Sequence, residues 1–530
     1  MSLPPRQHMS GADAYREALR LDGLGKYAEA QKLCQKILKA APKHADVHHL
    51  AGVVYFHAGK YDDAIRHLKD ALKYKPDFAE AVGNLAKAYY RKAKWRELIA
   101  LLTPLPETAD SLTEIGYAHE QLGDQAEAEK AYRKAVARDP SAAAAHSNLG
   151  AILTRRGDVE AAAAHLEIAL AAAAPPSTAL LNLAMVHDVA GRAEQALEIY
   201  GRIIAATPDH ALARFQRAMT LLSMGRFPEG WKEYLWRFRR PGTHTLHEAF
   251  AMPFWNGEPL AGRKLVVWTE QGPGDEILLA SMIADVLARG ADLTLVASPR
   301  LVPLFRRSFP AARVESSDPL RQVGAQDLQV SFSHLGAVLR RSFDDFPRER
   351  AFLKADETQR AELRAAYQEG DPARKLIGIA WHSANPTAEA QKSVTLQAWA
   401  PILKTPGVTF VSLQYGDHVA DARAAEAAFG CKIVTDRSID SLRDIDGFAA
   451  QVAAMDRVVS VSNTAVHVAG GLGVPTSVLV PKAFGKIWYW FQERTDSPWY
   501  PSLTLHRQTH AGDWTGAIAE AACTLSGGFA

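Results

Sequence analysis

The sequence predicts an α-helical solenoid in the N-terminal half of the chain and an α/β fold in the C-terminal half. Two observations carry this prediction. A glycine recurs with a spacing of 34 residues as far as Gly225. From Lys264 onward, short runs of β-branched and aliphatic residues alternate with helical stretches, which is typical of parallel sheets covered by helices. A chain of 530 residues has room for about two to four domains.

The first half follows the tetratricopeptide pattern. Its unit glycines are Gly25, Gly59, Gly123, Gly157, Gly191 and Gly225, with gaps of 34, 64, 34, 34 and 34 residues. Ala93 fills the place that the gap of 64 leaves open, and prolines such as Pro42 and Pro140 close the units. Small, aromatic and proline positions in this order and period are the tetratricopeptide signature. We predict a superhelix of about seven repeats over residues 11–238, starting near residues 11, 45, 79, 109, 143, 177 and 211.

Three asparagines recur at the sixth position of a unit: Asn84, Asn148 and Asn182. This position normally faces the concave side of such a superhelix. A side-chain amide both donates and accepts hydrogen bonds, so a row of amides could hold the main chain of an extended peptide. The alternative is that asparagine is merely tolerated near a helix start.

The last unit departs from the pattern and predicts a joint. Gly230 takes the usual alanine place, and Trp231, Tyr234 and Trp236 add bulk. A terminal repeat is atypical because one of its faces meets something else. We predict that these rings contact the following domain and that residues 239–262 form a linker.

The second half predicts two doubly wound, Rossmann-like domains. Eight strand-like runs fall into two groups: LVVW, DLTLVA and LQVSF, then LIGIAW, VTFVSL, KIVT, RVVSVS and TSVLVP. A charged, partly helical stretch that ends in Gly370-Asp371-Pro372 separates them. We therefore predict an N-terminal half at 263–370 and a C-terminal half at 371–530. A ligand in such sheets binds beyond the carboxyl ends of the strands.

The stretch EQGPGDEILLA, from Glu270 to Ala280, follows the first of these strands. Gly272 and Gly274 fit the start of a dinucleotide fingerprint, but Ile277 replaces its third glycine, and a phosphate-binding P-loop is absent from the sequence. Asp275 is then either an ordinary carboxylate in the first turn of a helix or a general base at the cleft that takes a proton from an acceptor hydroxyl. The flanking glycines let a substrate approach closely.

Other polar groups follow the strands of the C-terminal half. Ser462-Asn463-Thr464 precede a helix whose free amides suit an anion, and His467 is either a half-buried helix residue or a donor to a phosphate or sugar oxygen. Lys392 can neutralise a phosphate, with Ser393 beside it, and Gln414 can bond a base or ribose. An aromatic stretch is core by default, although a lid is the alternative, with residues Lys482, Lys486 and Trp488.

Bulk composition excludes several classes of protein. Lys and Arg total 61 against 59 for Asp and Glu, which argues against a dedicated nucleic-acid binder. Three cysteines far apart offer neither a disulfide framework nor a metal spacing and favour a reducing compartment. The N-terminus lacks a signal-peptide pattern, and Val458–Pro481 is too interrupted for a membrane span. We expect a cytoplasmic protein.

Six motifs carry a family resemblance: EGWKEYLWRFR, WNGEPLAGRKLVVWTEQGPGD, IAWHSANP…KS, VSLQYGD, NTAVHVAGGLGVPTSVLVP and DSPWYPSLTLHRQ…GDW. Together they resemble bacterial tetratricopeptide-repeat glycosyltransferases, whose C-terminal halves are GT-B transferases related to lipopolysaccharide heptosyltransferases and, more distantly, to protein O-GlcNAc transferase. The chain looks most like alphaproteobacterial flagellin glycosyltransferases. These use the repeats to hold flagellin and are thought to transfer a nonulosonic acid such as pseudaminic acid from a CMP donor.

The resemblance implies a role for particular residues. Asp275 matches the base of an inverting transferase, and Lys392 matches a lysine that contacts the donor phosphate. The turn Asn463–His467 matches the phosphate-binding helix start, and His382 belongs to the donor side. Relatives often carry Asp-Thr where this chain has Asn463-Thr464, and the loss of this carboxylate leaves the identity of the donor open.

The leading hypothesis is a protein O-glycosyltransferase that uses a nucleotide-sugar as co-substrate, without a cofactor or a metal. The cleft motifs lack an Asp-x-Asp triplet suited to a divalent metal, which favours neutralisation of the phosphate by protein groups. Two alternatives remain from the sequence. One is a scaffold or export chaperone with an inactive transferase-like region. The other is a transferase that acts on a lipid-linked or lipopolysaccharide saccharide.

Overall fold

A computed structural model describes residues 10–240, 250–318, 323–347, 351–383, 389–482 and 487–527. The chain forms two compact units. The first comprises the described part of Met1–Ile152 together with Ala164–Ala179, and the second comprises Leu153–Ala163 together with the described part of Leu180–Ala530. The division falls inside the helical array rather than at its end.

Residues 10–240 contain fourteen α-helices that pair into seven units. The units start within two residues of the predicted positions. Their helices are α1 Gly11–Gly23, α2 Tyr27–Ala40, α3 Ala45–His57, α4 Tyr61–Tyr74, α5 Ala79–Arg91, α6 Trp95–Leu102, α7 Ala109–Gln121, α8 Gln125–Arg138, α9 Ala143–Arg156, α10 Val159–Ala171, α11 Ala179–Val189, α12 Ala193–Ala206, α13 Ala211–Ser223 and α14 Phe227–Tyr234. The predicted helical solenoid is confirmed.

The repeat pattern has two physical causes. The two helices of a unit approach closely at a small residue: a Cβ added at Gly52 would lie 2.5 Å from Cγ of Leu68, and one at Gly150 would lie 2.7 Å from Cγ of Leu166. The turn between the helices needs a left-handed residue, and the unit glycines supply it. Ala93 takes this place in the third unit with φ of 53°, which confirms the position inferred from the sequence. The left-handed conformation costs energy at a residue with a Cβ.

Histidine pairs join the two helices of the second and fifth units, and His165 is the half-buried member among them. His48 and His67 bring their Nδ1 atoms to 3.2 Å, and His146 and His165 bring theirs to 2.8 Å. Burial lowers the pKa of His67 to about 4, so its ring is neutral near pH 7. Pairs at the same two places in different units indicate a recurrent contact of the array.

The last repeat packs into the second compact unit. Trp231 is buried and its Nε1–H donates to the carbonyl of Arg340 at 2.8 Å. A Cβ at Gly336 would lie 2.3 Å from this indole, so the contact is close. Tyr234 is buried as well, whereas Trp236 lies between the guanidinium groups of Arg214 and Arg239. The predicted joint therefore holds for Trp231 and Tyr234 and is wrong for Trp236.

Two parallel sheets follow. The first has four strands in the order β3-β2-β1-β4, and the second has six in the order β10-β9-β8-β5-β6-β7. The strands are β1 Lys264–Trp268, β2 Asp292–Ala297, β3 Arg313–Ser316, β4 Leu328–Ser331, β5 Lys375–Ala380, β6 Val408–Ser412, β7 Ile433–Val434, β8 Arg457–Val461, β9 Thr476–Val480 and β10 Leu503–Arg507. Every predicted run is a strand, and these ten strands pair with one another only in parallel.

Helices cover these sheets. They are α15 Pro273–Ala280, α16 Ile283–Leu287, α17 Val302–Ser308, α18 Leu335–Leu339, α19 Glu357–Gln368, α20 Glu389–Lys392, α21 Ala400–Leu403, α22 Val419–Phe429, α23 Ile445–Ala453, α24 Thr464–Leu472 and α25 Thr515–Gly527. Short 3-10 helices also occur in the chain, such as Leu235–Arg239 after the last repeat. The charged separator predicted between the two groups of strands is largely α19.

The predicted linker is partly wrong. Residues 241–249 lie outside the described residues. Beyond them, Trp255 is fully buried, its N–H donates to the carbonyl of Gln329 at 2.8 Å, and Gln329 N–H donates to Pro253 at 2.9 Å. Residues 253–255 thus extend the first sheet beside β4 by a single bridge. The buried side chain of Trp255 thus attaches residues 253–255 to the first sheet.

Within the described ranges, every helix is too short or too polar to cross a bilayer.

Candidate functional site

A cleft of about 320 Å³ lies where the carboxyl end of the first sheet meets that of the second. The loop Gly272–Asp275 after β1 forms one wall, and Asn463–Ala465 after β8 forms another. Both segments are helix starts, of α15 and α24. Free amides and the positive ends of two helix dipoles therefore face the same space, which suits an anionic group.

Asp275 faces this cleft from the first turn of α15. Gly272 is the N-cap residue and Pro273 is the first helical residue, which starts the helix two residues before the aspartate. Burial raises the pKa of Asp275 to about 6, and the nearby Glu270 adds to this shift, while Lys392 and a hydrogen bond from Tyr489 oppose it. The carboxylate is half-buried, lines the cleft, and is charged at neutral pH.

Lys392 supplies the opposing charge. It ends α20, is almost completely buried and lines the same cleft. Burial lowers the pKa of its ammonium group to about 8, and Asp275 opposes this shift. An amine that keeps its charge at pH 7 in a buried place is held there by a partner or a ligand of opposite sign. The pKa values of Asp275 and Lys392 are therefore shifted in opposite directions within one cleft.

A chain of hydrogen bonds runs behind Asp275. The Tyr500 hydroxyl lies 3.0 Å from Nδ1 of His467, and the Tyr489 hydroxyl lies 3.2 Å from its Nε2. Tyr489 also lies near the Asp275 carboxylate and lowers its pKa. Because each hydroxyl has one proton, the consistent assignment is Tyr500 to His467, His467 to Tyr489, and Tyr489 to Asp275. The chain orients the carboxylate and fixes the neutral imidazole as the Nε2–H tautomer.

This arrangement corrects the role predicted for His467. Burial lowers the pKa of His467 to about 3, and both ring nitrogens already have partners in the protein. The side chain is 3% exposed. It therefore cannot donate to a phosphate in this arrangement; it positions Tyr489 and, through it, the carboxylate.

Gly274 lets the two helix starts approach. A Cβ at this position would lie 2.9 Å from Cδ2 of His467. That distance is shorter than ordinary van der Waals contact, so a side chain would push α15 from α24. The glycine predicted to admit a substrate thus packs against the imidazole, while Gly272 is exposed at the mouth of the cleft.

The start of α24 keeps the predicted form. Asn463 is the N-cap residue: its Oδ1 accepts from the N–H of Ala465 at 3.0 Å, and its Nδ2 donates to the carbonyl of His382 at 3.2 Å. Thr464 is the first helical residue and lines the cleft. The amide of Asn463 therefore links the helix start to the loop after β5.

His382, Ser393 and Gln414 hold that loop rather than line the cleft. Oε1 of Gln414 accepts from the N–H groups of Trp381 and His382 at 3.0 and 2.9 Å. Oγ of Ser393 lies 3.0 Å from Nδ1 of His382 and accepts from the N–H of Ser383 at 3.1 Å. Gln414 lines a neighbouring pocket of about 480 Å³ instead, and its contact with a base or ribose stays a prediction.

The lid interpretation is wrong for Trp488. This ring is 6% exposed and packs edge-on against Trp231 at 5.3 Å, so it belongs to the core. Lys482 is exposed and its N–H donates to Gln508 at 3.1 Å. Lys486 lies outside the described residues. Ile487 and Tyr489 from the same stretch do line the cleft.

One Asp-x-Asp triplet flanks the cleft, at Asp444–Asp446. Its middle residue, Ile445, lines the cleft. Asp444 caps α23 by accepting from the N–H of Gly447 at 2.8 Å, and Asp446 pairs with Arg307 at 2.6 Å. Both carboxylates already have protein partners.

The predicted amide row is half-buried in all three units. Asn84 lies on α5, Asn148 on α9 and Asn182 on α11. Nδ2 of Asn84 lies 2.8 Å from Nε2 of His49, one unit earlier. Part of this amide is therefore used within the array, and contact of the row with a peptide stays a prediction.

Sequence reasoning missed Tyr489, Tyr500 and Arg300 as parts of the site. Tyr489 and Arg300 line the cleft, and Tyr500 ends the hydrogen-bond chain. The two tyrosines stand in an aromatic stretch whose default is core, and the sequence carries no signal for which hydroxyl reaches a carboxylate. Arg300 follows β2, so the rule that ligands bind beyond strand ends was the signal that could have found it.

Comparison with known proteins agrees with the repeat assignment. Models described as tetratricopeptide repeat match residues 106–178, 181–235 and 23–66, and one described as TPR repeat matches residues 52–92. Protein FlbA of Caulobacter vibrioides is 30% identical over 549 residues, which cover 98% of this chain and 90% of the relative. The chain belongs to the family of protein FlbA.

Solved structures resemble the chain only weakly. The structure titled for Pseudomonas aeruginosa pilF is 17% identical, covers 37% of this chain and 92% of its own, and has a TM-score of 0.32. MamA from Desulfovibrio magneticus RS-1 is 21% identical, covers 30% of this chain and 94% of its own, and has a TM-score of 0.28. Similarity of this degree carries no argument about the function of this FlbA-family member.

Proposed function

We propose that the protein is an inverting protein O-glycosyltransferase of the GT-B type that takes its sugar from a nucleotide-sugar. The observation that carries this proposal is Asp275, a half-buried carboxylate with a raised pKa at a cleft opposite Lys392 and the start of α24. A carboxylate with a pKa of about 6 is a stronger base than an ordinary aspartate and still ionised at neutral pH.

The groups of the cleft account for each part of the transfer. Asp275 removes the proton from a Ser or Thr hydroxyl as its oxygen attacks the anomeric carbon. The bond between that carbon and the phosphate oxygen breaks on the opposite side, which inverts the configuration. Lys392 and the amides at Asn463–Ala465 neutralise the departing nucleotide phosphate. The proton ends on Asp275, and the reaction balances without a further reactant.

The repeats supply the acceptor in this proposal. Tetratricopeptide arrays present an extended binding surface, and the asparagine row lies on the first helices of its units. We propose flagellin as the acceptor and a CMP-linked nonulosonic acid as the donor, on the strength of the family resemblance in the sequence motifs. The identities of the acceptor and the donor are proposed separately from the chemistry of the cleft, and either proposal can fail without the other.

Co-expression with flagellin in a cell that makes the activated sugar tests the proposal. We expect an added mass on Ser or Thr peptides of flagellin. Asp275→Asn should lower the modified fraction by about 100-fold or more, while Asp292→Asn, an exposed aspartate at the start of β2, should leave it unchanged. The neutral amide at position 275 should not impair folding, because burial already disfavours the charged carboxylate.

The result also separates the alternatives. A scaffold or chaperone would bind flagellin equally well with Asp275→Asn and leave its mass unaltered in every case. A transferase for lipid-linked saccharides would leave the flagellin mass unaltered but add sugar to the lipid fraction. Wild-type transfer by Asp275→Asn would remove this residue as the base.

A further inference from the structure

A cluster of three metal-ligating side chains lies in the second repeat, apart from the cleft. His48 on α3 and His67 and Asp70 on α4 bring one ligand atom each to within 4.8 Å of one another. The two imidazoles are buried, and Asp70 is half-buried. His67 and Asp70 are three positions apart on one helix, so they lie on the same face.

The hydrogen bonds of His48 set its lone pair toward the cluster. Nε2 lies 3.0 Å from the carbonyl oxygen of Pro42. Because a carbonyl only accepts, Nε2 carries the hydrogen and Nδ1 keeps its lone pair. A backbone carbonyl behind the far nitrogen of an imidazole is the usual support of a metal-ligating histidine.

The distances fit a tetrahedral ion. Two ligands at about 2.0–2.1 Å from zinc lie about 3.3 Å apart in this geometry. The two Nδ1 atoms of His48 and His67 are 3.2 Å apart. Oδ2 of Asp70 is 3.9 Å from Nδ1 of His48, a difference that a small rotation of a half-exposed side chain removes. Its exposure also opens the cluster to solvent, where water can be the fourth ligand.

The fifth repeat holds the same pair without the acid. His146, His165 and Pro140 stand 98 residues after His48, His67 and Pro42, and Nε2 of His146 lies 3.1 Å from the Pro140 carbonyl. The place of Asp70 is Ile168, an exposed apolar residue. The Nδ1 atoms of this pair are 2.8 Å apart, which is a hydrogen-bond distance and short for two ligands of one zinc ion. The chain thus contains a matched pair that lacks the third ligand.

We propose that His48, His67 and Asp70 form a binding site for a divalent transition metal of the zinc type, which links α3 to α4 in the second repeat. On binding, the proton on Nδ1 of His67 is lost to water and Nε2 of the same ring takes one up, so that the imidazole stays neutral and both Nδ1 atoms and a carboxylate oxygen contact the ion. This site is independent of the cleft and of the proposed transfer reaction.

Titration of the untagged full-length chain with ZnCl2 and CoCl2 tests the proposal. We expect one tight equivalent of zinc, a rise in the melting temperature, and visible absorption bands of tetrahedral cobalt. Asp70→Asn should weaken zinc binding by about 10-fold or more, and His67→Ala should abolish the cobalt bands. His165→Ala is the matched control and should leave both unchanged.

The Asp70→Asn variant keeps the test valid if His67→Ala fails to fold. It replaces a half-exposed carboxylate by an amide of the same shape, so we expect it to fold like the wild type. Its helical circular dichroism should equal that of the wild type without metal. Zinc affinity that is equal in the wild type and Asp70→Asn overturns the proposal, and so does a loss of affinity that is as large in His165→Ala.

Discussion

Asp275 and Lys392 are the residues on which the proposed reaction depends. Burial raises the pKa of the acid to about 6 and lowers that of the base to about 8, and each opposes the shift of the other. Both groups are therefore charged between these two values. Outside them, one of the two loses its charge, and with it either the capacity to take a proton or the capacity to neutralise a phosphate.

We expect transfer to follow a bell-shaped pH profile with limbs near pH 6 and pH 8. Below pH 6 the Asp275 carboxylate is protonated and cannot act as a base, and above pH 8 the Lys392 ammonium is neutral. The measurement is kcat/KM for sugar transfer at constant ionic strength. A flat profile between pH 5 and pH 9 would contradict the assignment of both groups.

Replacing Lys392 distinguishes its two effects. Lys392→Met removes the cation that holds the pKa of Asp275 down, so the acidic limb should move above pH 6 while transfer falls by about 10-fold or more. Lys392→Arg keeps the charge at high pH, so its alkaline limb should disappear from the measured range. An acidic limb that stays in place with Lys392→Met would show that the two groups do not interact.

Single residues were predictable from the sequence where a local rule fixes them. Asp275, Lys392 and Asn463 follow strand ends and do line the cleft. The role predicted for His467 does not fit the structure, because both of its ring nitrogens have partners from a distant part of the chain, Tyr489 and Tyr500. Such partners depend on packing and leave no pattern in the local sequence.

At the scale of elements, the period of the sequence sufficed for the helices and for most strands. The unpredicted strands are β3 and β10, whose sequences RVES and LTLHR contain charged residues. Both lie at the edge of their sheets, where one side of a strand faces solvent and apolar runs are not needed. The linker prediction was partly wrong for a related reason. Trp255 alone attaches this segment to the sheet, and a single buried residue leaves no periodic pattern in the sequence.

The turn of the third repeat offers a test of the repeat geometry. Ala93 has φ of 53° and is exposed, so Ala93→Gly relieves the left-handed strain without loss of packing. We expect a gain of roughly 0.5–1 kcal/mol in the free energy of unfolding, measured by urea denaturation. Ala164→Gly, at an exposed helical position of α10, should instead cost about 1 kcal/mol. Destabilisation by Ala93→Gly would contradict the left-handed turn.

At the scale of the molecule, the last repeat and the sheets share one core. Trp231 lies against Gly336 and Trp488. Arg237 pairs with Glu270 at 2.6 Å, and both side chains are buried. Glu270 belongs to the loop that carries Asp275, and Gln271 of the same loop donates to the Tyr234 hydroxyl at 3.0 Å. The end of the array therefore holds the loop of the cleft in place.

A fragment of residues 240–530 should consequently fail to fold, because it lacks Arg237, the cation that pairs with Glu270, and exposes to water the apolar face that Trp231 covers. A fragment of residues 143–530 keeps the whole second unit and should unfold cooperatively. Near-UV circular dichroism and thermal melting measure the difference. Equal melting temperatures for the two fragments would contradict the shared core.

The buried Arg237–Glu270 pair also constrains how this lineage can diversify. A recombination event that exchanged the array at residue 239 would import a foreign last repeat. Glu270 would then lack the cation that pairs with it. Viable crossovers should fall upstream of α13, so that the final helical hairpin is inherited with the sheets. On the proposed function, new acceptors would then be acquired by exchanging the earlier repeats, and the last one would change slowly along with the cleft.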